Sequence, residues 1–353
     1  MYQIPHNENE KEIIYLLKTT NRTRLSVASN FPYELYLNKK FIGSGGHRCT
    51  DTEIYIDTWP GILITDSIII RYQWFNYNKM SVWHRRIFPT AIFVDVGGVD
   101  SWSLSVDPTI KFGEKVCAQL PHQNIISNAS QTQILPPLRT INQNPYILKP
   151  LPVKPGSYIS ITPKIIYKNQ QVTIHSNFKK LASIVWPTNP NLKCDTYDLG
   201  YIGLHRFEID TTKSGVILYY GEVSKLCDAL QPANRSKVKL ADAIKADVKN
   251  GAPFGMRGCR YVHVIYSEVG FVLRAWRYQY NFNWKFLVDK VAPGCDKIVS
   301  ACKNNLIACV DGGVVDTCWR ERAQWTGDAR MSLMALNILT TNTEIIEFVL
   351  DQI

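Results

Sequence analysis

The sequence predicts a mainly β protein, with two antiparallel β-sandwich or jelly-roll domains followed by a smaller helical region. Three observations lead to this fold class. Short runs of β-branched and aromatic residues, separated by frequent turns, fill most of residues 1–284. A proline-rich segment interrupts these runs near the middle of the chain. From Asp296 onward, apolar residues recur at the spacing of an amphipathic helix.

Residues 1–150 are predicted to form an N-terminal jelly-roll accessory domain. The stretch YELYLNKKFIG, at 33–43, alternates between apolar and polar residues around a polar turn at Asn38-Lys39-Lys40, which is typical of a β-hairpin. Two further runs are strand-like, at 62–75 and 90–96. Residues 131–156 hold six prolines and little periodicity, so the domain is expected to end in an extended linker that begins near residue 131.

Residues 157–284 are predicted to form a second β-sandwich domain, because strand-like runs resume there without long helices between them. Residues 285–353 then become helical. The apolar spacing predicts three helices, at 296–310, 328–340 and 343–353. At the start of the last helix, Thr341 and Glu344 have the spacing of a capping box.

The composition is that of an ordinary globular protein, with 45% hydrophobic and 20% charged residues. The net charge of +10 comes from scattered lysines and arginines rather than a basic run, which argues against nucleic acid as a partner. No stretch has the apolar length of a membrane span, and the first residues lack the apolar region of a signal peptide. We therefore predict neither a nucleic-acid partner nor a membrane partner.

The nine cysteines have an odd count and no CxxC pair, which argues against a disulfide framework or a zinc knuckle. Cys295, Cys302 and Cys309 fall seven residues apart on one helical face, where we expect them to pack in the core. Reduced thiols and the lack of an export signal favour the cytoplasm. The seven histidines show no HxH or HExxH spacing, so we predict no metal and no other cofactor.

Segment 316–328, DTCWRERAQWTGD, is the part of the sequence that suggests a chemistry. It holds three acids and two tryptophans: Asp316, Glu321, Asp328, Trp319 and Trp325. Aromatic faces can stack on the apolar face of a sugar, while acids bind its hydroxyls and protonate the leaving oxygen. A carboxylic acid beside an indole is also desolvated, which favours the protonated form. The alternative is an ordinary interhelix loop, with Arg320 and Arg322 paired to the acids at the surface.

The stretch DTCWRERAQWTGDARMS resembles the signature of bacterial α-L-rhamnosidases, a run of the type D-C-P-x-R-E-x-x-x-W-T-G-D at the first hairpin of an (α/α)6 barrel. The spacing matches from Asp316 to Asp328. The departures are Thr317-Cys318-Trp319, where the family usually has Cys-Pro and a polar residue. Earlier in the chain, YELYLNKKFIGSG is similar to a hairpin of the family's jelly-roll accessory domain, and GCRYVHVIYSEV is similar to a strand of the sandwich that precedes the barrel.

This resemblance implies an inverting glycoside hydrolase that removes terminal rhamnose, so that a rhamnose-containing glycan or glycoside would be the binding partner. Glu321 would be the general acid. Asp316 and Asp328 would hold sugar hydroxyls, and Trp325 would form a stacking wall. Arg320 would orient the acid or tune its acidity, although a structural ion pair is an equal alternative. Residues 285–353 would be the start of the six-hairpin (α/α)6 domain.

An inverting glycosidase also needs a second carboxylate, roughly 6.5–9.5 Å from the acid, to activate water. In the resembling family this base is a glutamate in the later half of the barrel. Twelve helices need on the order of 200 residues, whereas about 57 follow position 296. We therefore expect an incomplete barrel, no hydrolysis by the chain alone, and helices that expose apolar faces. A companion polypeptide is one candidate source of the rest of the barrel.

Two other functions remain open from the sequence. The β-sandwich domains could serve a non-catalytic carbohydrate-binding or scaffold protein, in which case sugar affinity would survive deletion of residues 290–353. Nucleic-acid binding through the net charge of +10 is the least favoured function and would show a steep dependence on salt.

Overall fold

The computed structural model describes residues 2–3, 13–18, 24–29, 32–46, 53–60, 68–73, 91–94, 103–106, 110–112, 124–126, 139–140, 147–153, 156–172, 191–213, 215–226, 241–244, 248–285, 294–318, 322 and 324–352. Within segment 316–328, Trp319, Arg320, Glu321 and Ala323 therefore lie outside the described residues.

The described residues form strands up to Gln279 and helices from Asp296 onward. The strands, in chain order, are β1 (Tyr2–Gln3), β2 (Ile13–Lys18), β3 (Arg24–Ser29), β4 (Tyr33–Leu37), β5 (Lys40–Gly45), β6 (Glu53–Pro60), β7 (Ile68–Gln73), β8 (Ala91–Val94), β9 (Ser103–Val106), β10 (Ile110–Phe112), β11 (Asn124–Ile126), β12 (Arg139–Thr140), β13 (Ile147–Pro150), β14 (Ser157–Ile161), β15 (Lys164–Val172), β16 (Leu192–Thr211), β17 (Val216–Gly221), β18 (Ala241–Ile244), β19 (Val248–Gly251), β20 (Arg257–Tyr266) and β21 (Phe271–Gln279). The helices are α1 (Asp296–Ala308), α2 (Thr326–Leu339) and α3 (Thr343–Leu350). A mainly β protein with helices near its C-terminal end was the predicted fold class.

Two of the sheets make contact with each other and form what we call the N-terminal sandwich. One has the strand order β12-β1-β8-β3-β6-β13, and the other has the order β5-β4-β7-β2-β9. Across the gap between them, the buried Tyr33 hydroxyl donates to a carboxylate oxygen of Asp57 over 2.6 Å. The same hydroxyl accepts a hydrogen bond of 3.2 Å from the indole nitrogen of Trp59. The two sheets are thus joined by polar contacts as well as by apolar packing.

The hairpin predicted at 33–43 is confirmed. Strands β4 and β5 pair antiparallel. Asn38 and Lys39, which connect them, have φ angles of 49° and 66°, as a type I′ turn requires. This left-handed pair matches the right-handed twist of the flanking strands, which explains why a two-residue connection suffices.

The third sheet, which we call the large sheet, has the order β10-β11-β18-β17-β20-β16-β21-β14, with β15 and β19 also pairing with β16. The strand runs predicted within 157–284 are confirmed. Strands β10 and β11 also join this sheet, and β11 pairs with β18 in parallel. The large sheet therefore takes strands from both sides of the proline-rich stretch, and the division into domains near residue 150 stays a prediction.

The three helices begin and end close to the predicted positions. Helix α1 ends at Ala308, four residues before Gly312. The φ of Gly312 is 65°, in the left-handed region that favours glycine. The predicted capping box at Thr341 and Glu344 is wrong, because Asn342 precedes the helix and its side-chain nitrogen donates to Glu344 over 2.7 Å. The Asn342 side-chain oxygen accepts from the backbone N–H of Asn283 instead. The helix start is thus tied to the strand region.

One apolar cluster packs the helices against the strands. Its buried members are Tyr55, Val153, Tyr280, Phe282, Val310, Val314, Ala329, Leu333, Leu336, Ile345, Phe348 and Val349. Other apolar side chains of the helices stay exposed, as expected: Ile298, Met331, Met334, Ile338 and Leu350. The prediction that the cysteines at seven-residue spacing pack in the core is wrong for Cys302, which is exposed on the outer side of α1. The six-hairpin barrel stays a prediction.

In the described part of the chain, no helix combines the length and the apolar character needed to cross a membrane. Within the same ranges, no group of three or more His, Cys, Asp or Glu side chains has an arrangement that could hold a metal ion.

Candidate active site

Segment 316–328 connects helix α1 to helix α2, and a tight turn fixes its start. Val310 and Val314 form an antiparallel β-bridge across the turn. The N–H of Val315 donates to the carbonyl of Cys309 over 2.8 Å. All three valines are buried in or beside the apolar cluster. The backbone directly before Asp316 is therefore held in place at the end of α1.

Asp316 is half-buried, and its backbone carbonyl accepts a hydrogen bond of 3.7 Å from the Cys309 thiol. Two residues later, Cys318 is buried in a cluster with residues of the large sheet, of the loop before β20 and of α1: Leu204, Met256, Tyr278 and Ala308. Burial raises the pKa of the Cys318 thiol to about 12, so the thiol stays neutral. Cys318, one of the departures from the rhamnosidase signature, therefore acts as an apolar anchor that holds the segment against the large sheet.

Arg322 fixes the middle of the segment. One guanidinium nitrogen, Nη1, donates to the carbonyl of Met256 over 3.0 Å, and the other, Nη2, forms an ion pair with Asp311. The Arg322 side chain is only 9% exposed. Its φ of 46° is uncommon for a residue with a Cβ and persists where the surrounding contacts enforce it. These contacts hold the backbone directly next to Glu321 in the chain.

Trp325 and Asp328 lie where the segment enters α2. Trp325 is half-buried and extended, and its carbonyl accepts the first helical hydrogen bond from Ala329 over 2.8 Å. The side chain of Gln324 donates to the carbonyl of Val349 over 3.3 Å, which ties this entry to α3. Asp328 is exposed in the first turn of α2, where the positive end of the helix dipole favours a carboxylate.

The structure thus places Asp316 and Trp325 on the connection between α1 and α2 and Asp328 in the first turn of α2, and the roles of all three stay predictions. Arg320 and Glu321 lie outside the described residues, so their positions stay predictions. The alternative interpretation pairs Arg322 with an acid of the segment at the surface. The structure instead pairs Arg322 with Asp311, which precedes the segment, and its side chain is only 9% exposed.

Sequence reasoning missed the other partner of Arg322, the carbonyl of Met256. A main-chain acceptor leaves no signal in the residue type, and it lies 66 positions away in the chain. The pairing of Arg322 with Asp311 was missed as well, because the sequence interpretation considered only the acids within segment 316–328.

Met256 belongs to residues 252–256, which we call the junction loop. The N-terminal sandwich holds this loop by two buried side chains. Glu34 accepts a hydrogen bond of 2.9 Å from the N–H of Gly255, and both terminal nitrogens of Arg71 donate to the carbonyl of Ala252 over 3.3 Å. Glu34 and Arg71 also form an ion pair of 3.1 Å, with side chains no more than 4% exposed. Together with Arg322, these contacts connect the N-terminal sandwich to segment 316–328.

A second buried arginine lies at the same junction. Arg206 of β16 donates to the hydroxyl of Tyr36 over 3.1 Å and stacks 4.0 Å from the centre of the Phe41 ring. An ion pair of 2.7 Å with Glu208 balances its charge. Burial and then the charge of Glu34 raise the pKa of Tyr36, so its hydroxyl stays protonated and donates to Glu34 over 2.7 Å. The junction is therefore a connected ionic network.

Nothing among family models or curated proteins matches this sequence. Solved structures do match the fold. A GH78 family rhamnosidase of Bacillus sp. GL1 superposes with a TM-score of 0.68 at 10% identity, covering 99% of this chain and 62% of that protein. This chain has the fold of part of a rhamnosidase.

A second structure agrees with this assignment. The Streptomyces avermitilis α-L-rhamnosidase, solved with L-rhamnose, superposes with a TM-score of 0.58 at 14% identity. That match covers 96% of this chain and 35% of the Streptomyces protein. The chain thus spans less than two thirds of the length of either rhamnosidase.

Proposed function

We propose that this chain is the α-L-rhamnosidase-like part of an inverting glycoside hydrolase that acts on terminal rhamnosides. One observation carries the proposal. The stretch with the spacing of the rhamnosidase signature, Asp316 to Asp328, is the anchored connection into α2 of a chain that shares a rhamnosidase fold. A loop that merely joined two helices would not need the buried clamp at Arg322.

In this proposal Glu321 is the general acid that protonates the leaving oxygen. Asp316 and Asp328 bind sugar hydroxyls, and Trp325 stacks against the sugar. Arg320 orients the acid. Arg322 is a positioning residue, because it holds the backbone next to Glu321 through Asp311 and Met256 rather than touching the substrate.

The proposal assigns no general base within these 353 residues. The three helices would form the first part of an (α/α)6 barrel whose later part supplies the base, either in the same protein or on a companion polypeptide. General acid–base assistance is worth about 10²–10⁴-fold per group. We therefore expect the chain alone to bind L-rhamnose and to show no measurable hydrolysis of rhamnosides.

The test combines binding and turnover on the purified monodisperse chain and on Glu321→Gln. Glutamine is nearly isosteric with glutamate but cannot donate a proton as an acid. Calorimetry with L-rhamnose should give similar affinities for the two proteins, whereas Trp325→Ala should bind several-fold more weakly. The turnover substrate is an alkyl rhamnoside, because its poor leaving group makes protonation necessary.

Each outcome bears on a separate part of the proposal. Failure of L-rhamnose to bind would contradict the assigned substrate class. If the parent chain hydrolyses the rhamnoside and Glu321→Gln does not, Glu321 is supported as the general acid. The same result would contradict the proposal that the chain lacks a general base. Turnover that survives Glu321→Gln would exclude Glu321 as the general acid.

A further inference from the structure

A surface groove of about 500 Å³ lies between the large sheet and the side of α1 that runs from Asp296 to Asn305. Its volume is within the range of small-molecule sites. None of its lining residues belongs to segment 316–328.

A large β-bulge forms the sheet side of the groove. Strand β16 pairs with β20 at Asp198 and Tyr261, and pairing resumes at Gly203 and Cys259. Between these pairs β16 advances five positions and β20 advances two, so three extra residues of β16 leave the ladder. Bulges of this kind re-aim side chains and occur often beside functional sites.

The inner residues of the bulge are anchored in two directions. Leu199 is buried in the core of the large sheet. Ile202 packs against the cluster that contains Cys318. Tyr201, one of the two residues between them, belongs to neither cluster and is 50% exposed along the groove.

Charged side chains fix the bulge rather than leaving it loose. Asp198 accepts two hydrogen bonds from Arg260, of 3.1 and 3.0 Å, and one of 2.8 Å from the N–H of Gly200. Arg277 donates to the carbonyl of Leu199 and lies 5.1 Å from the centre of the Tyr201 ring. The hydrogen bond from Arg260 holds the pKa of Asp198 below its usual range. Tyr201 is therefore presented on a preorganised frame.

The helix side of the groove supplies neutral polar groups. Ser300, Asn304 and Asn305 offer a hydroxyl and two carboxamides, each able to donate and accept. Arg260 forms an ion pair with Asp198, and the groove lining holds one acid and one base on the helix side, Asp296 and Lys297. The remaining positive charge, that of Arg277 beside Tyr201, is engaged with the carbonyl of Leu199. A half-exposed aromatic ring opposite groups that bind hydroxyls matches the chemistry of a neutral sugar.

We propose that this groove binds one neutral sugar residue, with Tyr201 stacking on the ring and Asn304 binding its hydroxyls. The proposal goes beyond the proposed hydrolysis and does not depend on it, because none of the lining residues belongs to segment 316–328.

The test is saturation-transfer NMR on the full chain, with D-galactose and D-glucose as separate probes and sulfate as the anionic comparison. Variants Tyr201→Ala and Asn304→Ala remove the ring and the amide. Tyr167→Ala is the matched control, since Tyr167 is a half-buried tyrosine of β15 outside the groove. Trp325→Ala reports on segment 316–328, and thermal unfolding verifies that every variant is folded.

We expect at least one of the two sugars to bind with a Kd that rises about tenfold in Tyr201→Ala and several-fold in Asn304→Ala. The same Kd should be unchanged in Tyr167→Ala. Three results would overturn the proposal: no sugar binding, sugar binding unaffected by Tyr201→Ala, or competition by sulfate at the groove. Loss of sugar binding in Trp325→Ala alone would assign the binding to segment 316–328 and also contradict this site. No hydrolysis is measured, so failure of the proposed enzyme leaves this result unchanged.

Discussion

The N-terminal sandwich meets the large sheet through buried ions, whereas the helices meet the strands through apolar side chains. At the first contact, Glu34, Arg71 and Arg206 are buried and connected by hydrogen bonds. At the second, Leu336, Ile345 and their neighbours pack as one apolar cluster. A buried ion pair adds little net stability but is costly to break, while apolar packing contributes in proportion to the area it buries.

The difference suggests distinct roles for the two contacts. Apolar packing tolerates small shifts, because its forces have no preferred direction. The ionic network fixes angles and distances, since each hydrogen bond has a preferred geometry. It is the ionic contact that holds the junction loop, and the junction loop accepts a hydrogen bond from Arg322 beside the candidate acid.

The largest expected loss follows from breaking the ionic contact. Arg71→Met leaves the charge of Glu34 buried without its partner, which should lower the free energy of unfolding by about 3–5 kcal/mol. Adding Glu34→Gln removes that stranded charge, so the double variant should regain part of the loss. Urea unfolding measures both variants, and a double variant less stable than Arg71→Met would contradict this explanation.

A slightly smaller loss is expected from the apolar contact. Leu336 is fully buried, and Leu336→Ala should cost about 2–5 kcal/mol through lost transfer energy and a residual cavity. Leu336→Met keeps the volume and should cost less than about 1.5 kcal/mol. Equal costs for alanine and methionine in urea unfolding would show that this site is not a tightly packed core.

Two histidines of the large sheet should make stability depend on pH. Burial lowers the pKa of His205 to about 3 and that of His263 to about 4, both below the ordinary 6.5. Between pH 6.5 and 4 the unfolded chain therefore binds more protons than the folded chain. The contribution of the two histidines to the free energy of unfolding should be complete above pH 6.5. It should be lost as the pH falls below 6.5, by at most about 1.4 kcal/mol per pH unit for each histidine.

Urea unfolding of the parent chain and of His263→Gln, from pH 7 to pH 4.5, checks this dependence. Glutamine does not titrate, so the slope in this window should be roughly halved. An unchanged slope would show that His263 does not contribute.

The smallest effect is expected at a solvent-exposed ion pair. Lys213 and Glu268 lie 2.7 Å apart, but both side chains are largely exposed. Lys213→Gln should leave the thermal midpoint unchanged, because solvent screens such pairs and their side chains lose entropy on pairing. A clear fall in Tm would mean that exposed ion pairs on this sheet contribute more to stability than their solvent exposure implies.

The two contacts also differ in how far the sequence predicts them. The helices and the hairpin at 33–43 depend on neighbours within a few positions, so periodicity and the Asn38-Lys39 turn suffice to locate them. The pairing of Glu34 with Gly255 spans 221 positions, and no local pattern connects the two. Cys302 failed as a core prediction for a related reason. Its helical spacing identifies a face but does not say which face is covered.

The candidate site shows the same division. The resemblance selects Asp316, Trp325 and Asp328 from one short stretch of the chain, because a signature is a local pattern. It did not indicate that Arg322 would be buried, or that Cys318 would anchor the segment beneath Met256 and Tyr278. Both features depend on the large sheet, which is distant in sequence.

The most direct test of the ionic path is hydrogen exchange of backbone amides in Arg71→Met and Leu336→Ala, under conditions where both are folded. We expect Arg71→Met to speed exchange in the junction loop and in residues 316–325, because releasing Ala252 loosens the acceptor of Arg322. Leu336→Ala should speed exchange in α2 and α3 and leave the junction loop unchanged. If Arg71→Met altered the junction loop but left 316–325 as slow as in the parent chain, the N-terminal sandwich would not position the candidate site.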